Sequence, residues 1–157
     1  MLSTLRTMVS AIMGSLAVIG VALWFVLTDH AEMPDVLWLA IVMLLGGGAA
    51  GLIQLVGFRA PAIAPGETSE ESARQARSAF QSGTMTRMAM AEMPAIASIA
   101  VAFVAPEGGF VLYLLGAAIA LGLLAAYVLP SDSTIARTQQ SLEREGGRAD
   151  LNTALSA

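Results

Sequence analysis

The stretch VLWLAIVMLLGGGAAGLIQLVG, Val36 to Gly57, holds no charged side chain. A bilayer's hydrocarbon core is about 30 Å thick and takes about 20 apolar residues of helix to cross. Working outward from this run, three more stretches of the same kind appear. They are about residues 8–28, 86–105 and 109–129. The expected fold is therefore all-α, an integral membrane protein with four transmembrane helices. The composition agrees. Of 157 residues, 56% are hydrophobic and only 13% charged, with a mean hydropathy of +0.71, too apolar for an ordinary soluble domain. The first span is expected to be a membrane helix and not a signal peptide. Its apolar region exceeds the usual about 7–15 residues, and no small-x-small site follows it.

The charges orient the spans. All eight basic residues are arginines. Arg6 precedes the first span; Arg59, Arg74, Arg77 and Arg87 lie between the second and third or at the edge of the third. Arg137, Arg144 and Arg148 follow the fourth. The opposite connections hold Asp29, His30, Glu32, Asp35 and Glu107, with no arginine. Cytoplasmic loops carry the excess of basic residues. Both termini, the 58–85 loop and the 131–157 tail are thus expected in the cytoplasm, and residues 1–130 form the membrane domain. Trp24 and Trp38 beside the first outer loop, and Tyr113 and Tyr127 near the two ends of span four, suit headgroup depth. The setting expected is the inner membrane of a bacterium.

The polar segments read as accessories. Thr68-Ser-Glu-Glu71 has the form of a capping box and predicts a short helix over about 69–80, broken or kinked at Ser82-Gly83 before span three. Asp132 or Ser133 predicts a cap for a helix over about 134–145, ended by Gly146-Gly147. Its thin apolar stripe, Ile135 and Leu142, suits contact with the loop helix or the membrane surface. The bland reading is a solvated connector and an exposed or partly ordered tail.

Helix packing in lipid favours small residues, which allow close backbone approach. Each span has some. The densest set is Gly46, Gly47, Gly48 and Gly51, where three consecutive glycines cost roughly 1 kcal/mol each relative to alanine in a water-exposed helix. Ala89 and Ala95 flank the one carboxylate inside a span, Glu92. Such a group costs about 2.5–3.5 kcal/mol to insert and by default suggests function. Burial in hydrocarbon favours its neutral form. By depth, Glu92 is expected level with Gly51, with Gln54 a turn nearer the cytoplasm. Pro94 frees the Met90 carbonyl. Glu92 and Gln54 are thus the candidate proton- or cation-binding residues. A structural interhelical hydrogen bond is the competing role. Arg87 is five residues from Glu92, an awkward spacing for a pair within one helix.

From about residue 37 to 105 the chain resembles the proteolipid, or c subunit, of rotary ATP synthases. Gly46 to Gly51 match its glycine-rich helix, Ala73-Arg74-Gln75 its cytoplasmic loop, and Glu92 its ion-carrying carboxylate. The resemblance implies a helical hairpin around a proton- or cation-binding acid. Two further spans, a longer loop and Ala76 in place of proline depart from that pattern, and fit an accessory use of the hairpin better than a working ring. As a whole the chain also looks like the small four-span membrane proteins common in actinobacteria, a likeness that implies no settled activity.

No catalytic constellation accompanies these features. There is no cysteine, no HExxH, GxSxG or phosphate-binding loop, and no basic patch for nucleic acid. His30 reads as solvated. Met85, Met88, Met90 and Met93 read as adaptable packing. The chain is expected to be neither an enzyme nor a holder of a metal or cofactor. Its expected partners are the bilayer and copies of itself or other membrane subunits. Two functions stand: a proton- or cation-handling subunit using Glu92, and a non-transporting accessory or assembly subunit of a larger membrane complex.

Overall fold

Apolar runs of this length satisfy their backbone polar groups internally as helix. In a computed structural model, which describes residues 2–27, 32–66, 68–129 and 131–148, every regular element is helical. Helix α1 is Leu2–Val26, α2 is Val36–Leu55, α3 is Ser69–Val104 and α4 is Gly109–Leu123. A π-helical turn, Leu124–Val128, continues α4, and α5 is Asp132–Leu142. Among the described residues four helices are long and apolar enough to cross a membrane, so the chain is built as a multi-pass membrane protein. Thr28, Asp29, His30 and the tail after Arg148 lie outside the described residues, as does the side chain of Arg6.

Helix α3 is the centre. It packs along α4 and α2, while α1 touches mainly α4. The closest seam is α3 on α4. A Cβ added at Gly116 would collide with the Ser98 side chain and stand 2.8 Å from the Pro94 carbonyl oxygen. Only glycine allows this approach. Gly108 sits in the tight α3–α4 connection with φ of +69°, and a Cβ there would meet Pro34. At the opposite end, the membrane core gathers Val9, Ala49, Ile53, Ala91, Ala95 and Leu124 from all four spans. Tyr113 is buried, and its hydroxyl donates to the Leu16 carbonyl of α1. It is therefore an interhelical tie and not the interfacial ring expected from its position near a span end.

Two expectations change at the arginine-bearing end. The predicted break at Ser82-Gly83 is absent, and α3 runs unbroken through 36 residues. At 1.5 Å per residue it is about 54 Å long, well beyond an about 30 Å hydrocarbon core. The mid-helix glycine is offset by tertiary packing. Gly83 borders the contact with the end of α2: a Cβ there would stand 3.3 Å from Arg87 Nη1, a tight contact, and 3.6 Å from the Gly57 oxygen, an ordinary one. The connector and tail are also ordered together as far as Arg148. Ala60, Ile63, Ala76, Phe80 and Leu142 form a second small core, with Ile135 against it. The Ile63 amide donates to the Leu142 carbonyl at 2.9 Å, and the Ala60 amide to Ser141 Oγ at 2.9 Å. Thus α5's thin stripe covers the protruding part of α3, one of the two contacts its spacing suggested.

Both helix starts use hydroxyl caps. Thr68 Oγ1 accepts from the Glu71 amide at α3. Ser131, not Asp132 or Ser133, caps α5, with Thr134 completing a capping box. Helix α5 starts two residues earlier than predicted because Ser131 takes the cap.

Candidate functional site

The sequence placed Glu92 level with the glycines of α2 and Gln54 a turn nearer the cytoplasm. The structure distributes them over different faces. Ala95 is buried in the membrane core, Ala89 is exposed, and Glu92 is half-buried on the border between them. Residues seven apart share a helix flank, so Glu92 shares its flank with Ile99. Ile99 packs against the buried cluster that gathers Leu23 of α1, Leu27 just beyond it, and Phe110, Tyr113 and Ala117 of α4. Among the described residues Glu92 has no hydrogen-bond or ion-pair partner.

Gln54 is exposed, and its Nε2 donates to the Tyr127 hydroxyl at 3.3 Å. Tyr127 lies on the π-helical turn, where the Leu129 amide reaches back five residues to the Leu124 carbonyl. Sequence reasoning had no signal for that turn, since π-helical turns carry no capping or spacing signature. Gln54 thus bonds the end of span four, not the Glu92 carboxyl. Pro94 sits inside α3 without ending it.

The glycine patch also divides. Gly46 faces the bundle, where a Cβ would stand 2.7 Å from Ile119 Cγ2 of α4. Added Cβ atoms at Gly47, Gly48 and Gly51 meet nothing within 4 Å. The exposed surface around them is apolar, with Leu44 at 80% exposure and Leu55 at 65%.

The residue that sequence reading underrated is Arg87. Its side chain is 1% exposed, the largest buried one among the described residues. Nη1 donates to the Gly57 carbonyl at 2.9 Å and Nη2 to Thr84 Oγ1 at 3.0 Å, while Nε has no partner. The guanidinium stacks 4.6 Å above the Phe58 ring, and Arg137 reaches the same ring at 5.3 Å. No carboxylate pairs with Arg87 among the described residues. A buried cation is held here by a helix-end carbonyl, a hydroxyl and an aromatic face. The available signal was its place at the span edge, three residues after Thr84.

Among the described residues no group of three or more His, Asp or Glu side chains converges to hold a metal. No protein-family model, curated protein or solved structure matches the chain.

Proposed function

We propose that this chain is a non-transporting accessory or assembly subunit of a bacterial inner-membrane complex, with both termini and the 58–85 segment cytoplasmic. The observation that carries this reading is the open glycine face of α2. Gly46 is in close contact within the chain, but Gly47, Gly48 and Gly51 border open space. Glycines weaken a helix, and close packing against another helix is what offsets that loss in lipid. Among the described residues no contact supplies it at these three positions. A helix from a second copy or from another membrane subunit would.

The test is the assembly state of the full chain in mild detergent, with Gly48→Leu as the variant. Gly48→Leu should fold as wild type and lose its oligomer or its co-purifying membrane subunit. An unchanged assembly with a folded Gly48→Leu protein would reject the reading.

A second reading, proton or cation binding at Glu92, is favoured by its half-buried carboxyl without a partner among the described residues. A hydrophobic carbodiimide attacks protonated carboxyls in lipid. Selective labelling of Glu92 well above the ordinary Glu pKa of about 4.3 supports it. Failure to label Glu92 in folded protein argues against it.

A further inference from the structure

A cavity of about 410 Å³ opens between the end of α2 and the protruding part of α3. Its depth follows from the helices. Counting about 20 residues back from the end of α3 at Val104 reaches Met85, and α2 ends at Leu55. The cavity is lined by Gly57 and Arg59 just beyond α2, and by Ser78, Ser82, Gly83 and Thr86 on α3. It therefore straddles the boundary between hydrocarbon and headgroups.

The chemistry of the lining is one-sided. Ser78, Ser82 and Thr86 follow one another at four-residue spacing on one face of α3; Thr86 Oγ1 donates to the Ser82 carbonyl at 3.0 Å, which leaves the Ser78 and Ser82 hydroxyls as donors. Arg59 is exposed, with no carboxylate partner among the described residues. No described acid lines the cavity. Behind its wall lies a second cation. Arg87 donates to the Gly57 oxygen, and its Nη1 is 3.3 Å from where a Gly83 Cβ would be. That guanidinium is buried with an unpartnered Nε. It also occupies the carboxyl end of α2, offsetting the negative helix end that would otherwise repel an anion.

We propose that this cavity binds the phosphate of an anionic phospholipid headgroup, with Arg59 as the direct ligand, the Ser78 and Ser82 hydroxyls as further donors, and Arg87 as the positive charge behind them. Arginine and hydroxyl donors are the groups that hold phosphate oxygens. The depth favours a lipid over a free phosphate. The inference is independent of the role given to the glycine face.

The experiment is native mass spectrometry of the full chain in detergent, with phosphatidylglycerol or phosphatidylcholine added at equal concentration. Phosphatidylglycerol should be retained one to one under activation that strips phosphatidylcholine. Arg59→Gln should weaken that retention about tenfold, as expected for losing a charge-assisted hydrogen bond. Ser82→Leu, which fills the cavity without changing charge, should lose it too. Arg144→Gln, at an exposed position that does not line the cavity, should retain the lipid. Helicity by circular dichroism confirms that each variant is folded. Equal retention of the two lipids, an Arg59→Gln protein that binds like wild type, or equal loss in Arg144→Gln would each overturn the proposal. Displacement of the lipid by excess inorganic phosphate would overturn the lipid assignment in favour of a soluble phosphate.

Discussion

Arg87 of α3 donates to the carbonyl of Gly57 across a 2.9 Å hydrogen bond and thereby ties the central helix to the end of α2. Gly57 suits this role because a Cβ there would stand 2.7 Å from Arg87 Cγ. Removing the guanidinium leaves a cavity and an unsatisfied carbonyl. Arg87→Ala should cost about 2–5 kcal/mol. Arg87→Met, which keeps volume and removes the desolvated charge, should cost less. Thermal unfolding in one detergent ranks the two, and Met as damaging as Ala would mean that packing contributes little.

The α3–α4 seam predicts a contrast between glycines. Gly116→Ala drives a methyl into Ser98 and the Pro94 carbonyl. It should destabilise by about 1–3 kcal/mol, the usual cost of overpacking. Gly47→Ala meets open space and should be neutral or slightly stabilising for the isolated chain through better helix propensity. Equal effects in unfolding measurements would contradict the seam.

Leu142 is fully buried between α5 and the protruding α3. Leu142→Ala should cost the small core about 2–5 kcal/mol. The membrane bundle has its own separate cores and should be spared. Hydrogen exchange should therefore rise in residues 58–66 and 132–148 but not in α4. A uniform rise over the whole chain would show that the two parts unfold as one.

Glu71 at the start of α3 gives a pH dependence. The Thr68 hydroxyl, 2.7 Å from its Oε2, and the Thr68 backbone hold its carboxyl below the ordinary value of 4.5. A carboxylate with a lowered pKa in the folded state stabilises above its unfolded pKa, and that contribution is lost as pH falls through the folded one. The first turn of α3 should therefore fray faster below about pH 4, the range where free carboxyls protonate. In Thr68→Val that acid dependence should shrink. Hydrogen exchange at residues 69–72 across pH measures both, and an unchanged profile in Thr68→Val would remove the assigned cause.

By itself the sequence determined the number and place of the membrane helices, because about 20 uninterrupted apolar residues have few other stable arrangements in a bilayer. It also determined that Thr68 caps a helix starting at Ser69, since capping is local chemistry. The candidate site was legible only as residue types in their helices. Glu92, Gln54 and the glycines do lie in their expected helices. Which faces meet depends on helix rotation, which depth does not fix. Tertiary structure decided that Gln54 bonds Tyr127, that Gly46 faces inward while Gly47, Gly48 and Gly51 do not, and that Arg87 is buried. It also decided that α3 continues through Gly83. A glycine reads as a break in isolation, yet here the helix runs through it, beside the Arg87–Gly57 hydrogen bond.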